Sequence, residues 1–315
     1  MRAVAFFTYG GPEVLQVVEL PDPEPGPGEV RIRVAAATVN PTDILFRSGR
    51  RPVDLSQVDP PYVPGMELAG RVDAVGEGAE DWLGRDVIAV TATAPNGPGA
   101  QAELVVVPAA SAAPAPVGHP LAEAATLPMN GLTARHALDL LGLAPDATVA
   151  ITGAAGAVGG YAVQLAVAAG LRVVGVGRPG DEETVRRLGA HAFVPTGDDL
   201  VAALRESAPA GLDAVVDCAL LGAVVLPAVR AGGQVAAVRA QPAQTERWIA
   251  LHQVAVGRYL REGAKLAELS RQVERGELTL RVAEVIGPQR VAEAHRRLEA
   301  GGLRGRIVIA FNQGP

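Results

Sequence analysis

One stretch near the middle of the chain restricts the possible fold more than any other. Residues 147–159 read Ala-Thr-Val-Ala-Ile-Thr-Gly-Ala-Ala-Gly-Ala-Val-Gly, a short apolar run that leads through three glycines into a helical pattern ending near Ala169. A buried strand that passes into a helix through such glycines is typical of a dinucleotide-binding turn. Gly153 would permit the tight turn, Gly156 would admit a pyrophosphate, and Gly159 would let the helix pack closely on the sheet.

The region around this turn contains no charged residue from Ala147 to Leu171, which is long enough to cross a bilayer. Its five glycines and its strand-then-turn rhythm favour a buried strand and helix instead. The N-terminus lacks the apolar core of a signal peptide, so we predict a cytoplasmic protein without a membrane segment. A formal net charge of −6 and the lack of a basic run in the sequence argue against nucleic-acid binding.

The rhythm of the chain changes near residue 120. Before it, short Val/Ile runs separated by Gly and Pro predict a compact β-barrel unit. After it, strands alternate with helices, which predicts an α/β domain with a doubly wound parallel sheet of the Rossmann type. The predicted strands are residues 148–152, 172–176, 192–194, 214–217 and 234–238, and the predicted helices are residues 158–169, 182–188, 200–207 and 223–229.

Six residues of the glycine-containing turn are candidates for holding the coenzyme phosphates through backbone amides: Gly153, Ala154, Gly156, Ala157, Val158 and Gly159. The next strand ends in Gly177 and Arg178, where an NAD-selective protein normally has Asp or Glu. A guanidinium suits a phosphate, so Arg178 predicts NADPH as cofactor, with a solvated arginine as the alternative. Asp181 is expected to cap the following helix, although it could also reach a ribose.

Short motifs along nearly the whole chain resemble those of the zinc-independent medium-chain reductases, the zeta-crystallin-like quinone oxidoreductases. Each motif is unspecific by itself, whereas their order and spacing together are specific. They are Gly10-Gly-Pro-Glu-Val-Leu15, Pro25-Gly-Pro-Gly-Glu-Val30, Val39-Asn-Pro-Thr-Asp43, Arg47-Ser-Gly49, Pro61-Tyr-Val-Pro-Gly65, Gly131-Leu-Thr-Ala134, Ala294-His-Arg-Arg-Leu298 and Gly305-Arg-Ile-Val308.

The resemblance implies a discontinuous architecture. Residues 1–119 and 262–315 would form a GroES-like β-barrel domain for the substrate, and residues 120–261 would form the dinucleotide-binding domain, with a cleft between the two. It also implies a homodimer joined at the edge of the cofactor-domain sheet, near residues 254–259.

The resemblance further suggests particular site residues. Asn40 and Asp43 correspond to positions that face the nicotinamide and are the candidate catalytic residues, although ordinary turn chemistry would account for both. Thr133 corresponds to a coenzyme-contacting position, with helix packing as the alternative. Asp217 and the pair Gly232–Gly233 would lie where the ribose and the nicotinamide pass, with an ordinary turn as the alternative for the glycines.

Zinc is not expected. The segment that reads Gly-His-Glu in zinc-dependent relatives is Gly65-Met66-Glu67 here, and Cys218, the only cysteine, lies in the predicted cofactor domain. Without a Lewis acid, reduction of a conjugated carbonyl compound is favoured over alcohol oxidation. Many relatives have a tyrosine after the Arg-Ser-Gly turn, where this chain has Arg50-Arg51-Pro52, so solvent is expected to supply the proton.

The sequence therefore predicts an enzyme that transfers hydride from NADPH to a quinone or another α,β-unsaturated carbonyl compound without a metal. An enoyl-thioester or pathway-specific enoyl reductase is the first alternative. The second is a protein that binds NADPH without catalysis, as a redox-responsive or crystallin-like protein. The substrate itself cannot be named from the motifs.

Overall fold

The computed structural model describes residues 1–50, 55, 58–238 and 247–311. Its strands are β1 (Arg2–Ala5), β2 (Gln16–Glu19), β3 (Glu29–Thr38), β4 (Glu67–Val75), β5 (Asp86–Val90), β6 (Leu104–Pro108), β7 (Ala112–Pro114), β8 (Thr148–Thr152), β9 (Arg172–Gly177), β10 (Ala192–Pro195), β11 (Leu212–Asp217), β12 (Val229–Ala237), β13 (Ala250–Gln253), β14 (Val282–Ile286) and β15 (Arg306–Ala310). Its α-helices are α1 (Pro41–Arg47), α2 (Leu121–Ala124), α3 (Pro128–Leu141), α4 (Ala157–Ala168), α5 (Glu182–Arg187), α6 (Leu200–Ser207), α7 (Gly263–Glu274) and α8 (Val291–Ala300).

The chain divides into two compact units. Unit 1 comprises residues 1–129, 260–274 and 280–315, and unit 2 comprises residues 130–259 and 275–279. The change from unit 1 to unit 2 comes after Met129 because α2 still packs against β3 and β4. The family-based boundaries at residues 119 and 261 stay a prediction.

Unit 1 is built on a mostly antiparallel sheet with the strand order β14-β15-β3-β4-β5-β7, in which β6 also pairs with β3. β1 and β2 form a separate antiparallel pair. The long strand β3 alternates between buried and more exposed residues along most of its length, as expected for a sheet with one face on a core. That core contains Phe6, Ile32, Leu68, Val87 and Ile309, all fully buried.

Unit 2 contains a parallel sheet with the order β10-β9-β8-β11-β12-β13. This confirms the predicted parallel sheet of the cofactor domain. The strand register brings Val176, Thr152, Asp217 and Ala237 side by side, so the carboxyl ends of β9, β8, β11 and β12 form one edge. In α/β sheets this is the edge at which ligands bind.

Two of the helices predicted for unit 2 differ in how well they agree with the structure. The predicted helix 158–169 is α4, shifted by one residue. The predicted helix 223–229 is wrong in type, because Gly222–Ala228 forms a 3-10 helix with Pro227 inside it. Proline lacks the backbone N–H that an α-helix needs at an interior position.

None of the helices that the structure describes combines the length and the apolar character required to cross a membrane. The uncharged stretch from Ala147 to Leu171 is divided between β8, the following turn and α4.

Candidate functional site

The turn between β8 and α4, residues 153–159, is called the glycine turn below. Gly153 has a φ of +61°, a region that residues with a side chain rarely adopt. A Cβ atom on Gly159 would collide with the carbonyl oxygen of Gly153, so α4 can approach the turn this closely only because residue 159 is glycine. The backbone N–H of Ala154 donates to the carbonyl of Val176 at 3.0 Å, which ties the turn to the end of β9.

The N-terminus of α4 can accept an anion. The backbone N–H groups of Ala157, Val158 and Gly159 belong to the first helical turn and have no acceptor within the helix. The N-cap residue, Gly156, has no side chain that could cap them, and the first turn of the helix contains no acidic residue. Together with the helix dipole, these amides form a local positive potential suited to a phosphate. The glycine turn therefore fits the pyrophosphate of a dinucleotide.

Arg178 follows β9 at the same edge of the sheet, and it is exposed. Its backbone N–H donates to Oδ2 of Asp181 at 3.0 Å. The guanidinium is therefore attached to a backbone segment that is held in a closed turn. This position is compatible with the predicted contact to a 2′-phosphate, which stays a prediction.

The prediction that the Asp181 side chain caps α5 is wrong. Asp181 stands at the N-cap position of α5, but its side chain makes no capping hydrogen bond to that helix. It accepts instead from Arg178, three residues upstream, and only 7% of Asp181 is exposed. Because the carboxylate is buried under its own turn, the structure also disfavours the alternative contact with a ribose.

Asp217, at the end of β11, fixes the neighbouring loop. Its Oδ1 accepts from the hydroxyl of Thr152 at 2.6 Å and from the backbone N–H of Leu221 at 3.1 Å. Its Oδ2 accepts from the backbone N–H of Gly222 at 2.9 Å, and the whole residue is buried. The carboxylate thus links the ends of β8 and β11, and direct contact with a coenzyme stays a prediction.

The register of β12 contradicts the predicted position of Gly232 and Gly233. β12 begins at Val229, and Gln234 pairs with Ala214 near the start of β11. The two glycines therefore lie toward the amino-terminal edge of the sheet, opposite the edge that carries the glycine turn. Residues 239–246, which follow β12 at the carboxyl edge, lie outside the described part of the chain.

Thr133 lies in α3 and is buried, with 5% of the residue exposed. Its predicted contact with the coenzyme is not decided by this observation and stays a prediction.

In unit 1, Asn40 is the N-cap residue of α1 and Asp43 lies in its first turn, and both are fully buried. Oδ2 of Asp43 accepts from the backbone N–H of Asn40 at 2.8 Å and from Nε2 of Gln101 at 3.3 Å. Oδ1 of Asp43 accepts from the backbone N–H of Gly65 at 3.1 Å. The carboxylate of Asp43 therefore joins the start of α1 to the segment that precedes β4.

A buried ion pair lies beside these residues. Oε1 of Glu67 accepts from Nη2 of Arg306 at 2.9 Å, from Nδ2 of Asn40 at 3.1 Å and from the hydroxyl of Thr38 at 2.5 Å. Nη2 of Arg306 also donates to Oδ1 of Asn40 at 2.7 Å. We refer to Thr38, Asn40, Asp43, Glu67 and Arg306 as the polar network.

The electrostatics of the polar network follow from its burial. Burial raises the pKa of Asp43 to about 7, against the opposing effect of the N–H donors and of Arg306. Both ends of the Asn40 amide are bound within the network. Because Asn40 and Asp43 are buried and bonded in this way, the structure favours a supporting function for both, and their predicted catalytic role is not tested.

Sequence reasoning did not identify Glu67, Gln101 or Arg306 as site residues. Glu67 appeared only in the argument against zinc, and nothing in the local sequence connects it to Arg306. The one local signal is that Glu67 directly precedes the apolar run Leu68-Ala69 and Arg306 directly precedes Ile307-Val308-Ile309, where a sheet core leaves little room for unpaired charge.

The described residues offer few ligands for a metal ion. Among them there is no group of three or more His, Cys, Asp and Glu side chains that could hold one. Met66 occupies the histidine position of the Gly-His-Glu pattern and is 4% exposed. Burial, with Asp217 beside it, raises the pKa of the Cys218 thiol to about 12, so this group stays protonated at neutral pH.

Comparison with known protein families agrees with this geometry. Residues 26–117 match the alcohol dehydrogenase GroES-like domain, and residues 188–309 match the zinc-binding dehydrogenase domain. A chloroplast envelope quinone oxidoreductase homolog of Arabidopsis thaliana is 33% identical over 70% of this chain and 68% of its own length. The chain belongs to the quinone oxidoreductase family of medium-chain dehydrogenases/reductases.

Further similar proteins extend the comparison. The 2-methylene-furan-3-one reductase of Solanum lycopersicum is 28% identical, over 98% of this chain and 79% of its own length. A solved structure described as an NAD-dependent alcohol dehydrogenase has a TM-score of 0.88 and 31% identity, over 99% of this chain and all of the other. Mycobacterial Rv1454c complexed with NADPH has a TM-score of 0.85 and 28% identity, with the same coverage of both chains. These relatives confirm the predicted combination of a GroES-like domain with a Rossmann-type domain.

Proposed function

We propose that this protein is an NADPH-dependent oxidoreductase that transfers a hydride to a quinone or another α,β-unsaturated carbonyl compound, without a metal. The observation that carries the proposal is the glycine turn at the carboxyl edge of the unit 2 sheet. There, a glycine at position 159 is sterically required and a helix N-terminus has no capping side chain. Relatives over most of the chain are named quinone oxidoreductase and 2-methylene-furan-3-one reductase, which supports this class of acceptor.

The coenzyme would be held mainly by backbone groups. The amides of Ala157, Val158 and Gly159 would bind the pyrophosphate, and Gly153 and Gly156 would leave room for it. When bound, the reduced nicotinamide supplies the hydride. The side chains of Thr152 and Asp217 keep the loop after β11 in place beside the turn. The hydroxyl of Thr152 donates to Asp217 and accepts from the backbone N–H of Ala219 at 2.9 Å.

The preference for NADPH over NADH is based on the end of β9. Arg178 is exposed and offers guanidinium donors, while Asp181, the acidic residue nearest in sequence, is turned into its own backbone turn. The NADPH complex of a structure with 28% identity supports this choice. The 31% identical structure described as NAD-dependent points the other way, so both coenzymes belong in the test.

The metal-free part of the proposal follows from the available ligands. At the position of the expected histidine, Met66 offers only a thioether, and Glu67 is already paired with Arg306. An acceptor whose carbonyl is already polarised by conjugation can be reduced without a Lewis acid. Solvent would then supply the proton, because Arg50-Arg51-Pro52 stands where many relatives have a tyrosine.

We further propose a homodimer formed through the edge of the unit 2 sheet. Within the part of the chain that the structure describes, β13 pairs with β12 on one side only. Next to it, the hydroxyl of Tyr259 donates to Asp139 at 2.7 Å, which fastens the segment 254–259 to α3 of the same chain. An exposed strand edge beside a fixed segment suits pairing with a second copy. The cytoplasmic location stays a prediction.

The decisive experiment is a steady-state assay of coenzyme oxidation with a panel of acceptors. We expect turnover of 1,4-naphthoquinone with NADPH, slower turnover with NADH, and no effect of dialysis against EDTA. Faster turnover of a crotonyl thioester would favour the enoyl-thioester reductase instead. Tight NADPH binding without turnover of any acceptor would contradict the proposed enzyme and favour a binding protein.

A further inference from the structure

The sequence contains two Asn-Gly pairs, Asn96-Gly97 and Asn130-Gly131. Asparagine followed by glycine is the dipeptide in which the side-chain amide is lost most readily. Glycine has no Cβ atom that could hinder the approach of its backbone nitrogen to Cγ of the asparagine, and it adopts a wide range of backbone conformations. The surroundings of each pair then decide whether this reaction takes place in the folded protein.

Asn96 lies at the surface of unit 1, in the loop between β5 and β6. It is exposed, and its backbone N–H donates to the carbonyl of Thr93 at 3.0 Å, which closes the turn that ends at Asn96. Within the part of the chain that the structure describes, the side-chain amide of Asn96 has no hydrogen-bond partner and the backbone N–H of Gly97 has no acceptor. No hydrogen bond between these groups and the described protein therefore has to break before the two can react.

Asn130-Gly131 has the opposite environment. Both residues are buried near the start of α3, where Asn130 is 4% exposed. A helix fixes the backbone dihedral angles of the residues within it. Bond formation between the side chain of Asn130 and the backbone nitrogen of Gly131 would therefore require the start of α3 to open. The same dipeptide is thus free to react at one place and constrained at the other.

We propose that Asn96 is a site of spontaneous deamidation in the folded protein and that Asn130 is protected by its helix. Hydroxide removes the proton from the backbone nitrogen of Gly97, and that nitrogen forms a bond to Cγ of Asn96. The side-chain nitrogen takes up a proton from water and leaves as ammonia, so that a cyclic imide remains. Water then opens the imide at one of its two carbonyl groups, which yields aspartate or isoaspartate. No electrons are transferred, and water is the only co-reactant.

The two products differ in their effect on the loop. The backbone N–H of Gly99 donates to the carbonyl of Ala92 at 3.0 Å, and Gly97 lies so close to the same carbonyl that a Cβ atom there would collide with it. Isoaspartate adds a methylene group to the main chain inside this closed loop, whereas aspartate leaves the main chain unchanged. Isoaspartate should therefore break the hydrogen bond between Gly99 and Ala92, while aspartate adds only a negative charge at an exposed position.

The test follows both asparagines in one sample. The full-length protein is incubated at mildly alkaline pH and digested with a glutamate-specific protease, which separates the two by cleaving after Glu103 and Glu123. By mass spectrometry, we expect the Asn96 peptide to acquire the mass of an acid in place of an amide about tenfold faster than the Asn130 peptide, whose reaction requires local opening of α3. In urea the two rates should become similar, because neither asparagine is then held in a fixed structure.

Two variants complete the experiment. Asn96→Gln keeps the amide on a side chain that is one methylene longer and closes the corresponding ring far more slowly, so this peptide should keep its mass. Asn96→Asp reproduces the aspartate product and should keep the melting temperature of the unmodified protein. The fraction of aged wild-type protein that an isoaspartate methyltransferase labels should melt at a lower temperature.

Three outcomes would overturn the inference. Asn96 could keep its amide in the folded protein, the two asparagines could react at equal rates in the folded protein, or Asn96 could keep the same lead in urea. The last result would show that the flanking sequence, and not the fold, causes the difference. Equal melting temperatures of Asn96→Asp and the isoaspartate form would contradict the expected effect on the loop.

Discussion

The glycine turn of unit 2 and the polar network of unit 1 are both candidate functional regions, but one is formed by backbone groups and the other by side chains. The glycine turn depends on backbone amides and on the lack of a side chain at Gly159. The polar network consists of buried side chains, with charge supplied by Glu67 and Arg306. An added side-chain atom at Gly159 should disrupt the glycine turn, whereas removal of a charge should disrupt the polar network. The two regions are therefore tested by different kinds of substitution.

The largest expected effect is on the polar network. Glu67→Gln keeps the size of the side chain but leaves the guanidinium of Arg306 buried without its counter-charge. We expect the free energy of unfolding to fall by about 3–5 kcal/mol, measured by urea denaturation. Glu182→Gln removes a carboxylate from the exposed pair with Arg186 and is the control, where little change is expected. An equal loss of unfolding free energy in the two variants would show that the burial of the Glu67–Arg306 pair does not determine its contribution to stability.

The next effect is on the glycine turn, where one methyl group is added. Gly159→Ala should lower the free energy of unfolding by about 1–3 kcal/mol through overpacking. It should also weaken NADPH binding at least tenfold, because the turn can relieve the collision only by moving the amides. In Gly197→Ala the new methyl group meets no neighbouring atom, so this variant should bind NADPH normally in the same titration.

A third substitution tests the coenzyme preference within unit 2. Arg178→Ala should weaken NADPH binding by about 1–3 kcal/mol, because a charged hydrogen bond to the 2′-phosphate is lost. NADH binding should hardly change, as measured by isothermal titration calorimetry. Arg172→Ala, at the amino end of the same strand, is the control and should affect neither coenzyme. Equal losses for both coenzymes would show that Arg178 does not bind this phosphate.

The effect with the smallest slope is the pH dependence caused by Asp43, which changes stability gradually over several pH units. Its pKa in the folded protein is raised to about 7 from 3.8, so the folded protein holds this proton more tightly than the unfolded chain. The resulting stability is complete below pH 3.8 and is lost as the pH rises toward 7. Asp43→Asn should therefore flatten the pH dependence of stability in this range by about 1 kcal/mol per pH unit.

This measurement is best made as a difference between variant and wild type. His295 is fully buried, and burial together with Arg47 lowers its pKa to about 3 from 6.5. It therefore contributes stability that is lost as the pH falls from 6.5 toward 3, opposite in sign to the effect of Asp43. Subtraction removes the histidine contribution. If the two proteins had identical pH profiles, the carboxyl of Asp43 would not titrate as proposed.

The comparison also shows which parts of the molecule could be predicted from the sequence. β8, the glycine turn and α4 are contiguous in sequence, and their hydrogen bonds and steric requirements are local. The bounds of β8 and the start of α4 can therefore be predicted to within one residue.

The polar network could not be predicted in the same way. Glu67 and Arg306 are separated by 239 residues, and Asp43 and Gln101 by 58. Only the tertiary fold brings them together, and a motif that names Asn40 and Asp43 does not reveal that both are buried. The local pattern is also misleading at β12, where the predicted strand 234–238 leaves Gly232 and Gly233 before its start, at the predicted coenzyme site. The strand in fact begins at Val229 and includes both glycines.

Strand β11 carries an aspartate near each of its ends. Oδ2 of Asp213 accepts from the backbone N–H of Thr148 at 2.7 Å, and its Oδ1 accepts from Arg230 at 2.7 Å, while Asp217 binds Thr152 at the other end. The middle of the sheet is thus fastened to β8 at both edges, whereas β10 pairs with β9 alone within the described residues. Amide protons of β8 and β11 should consequently exchange with deuterium only when the whole unit opens, and those of β10 should exchange before them.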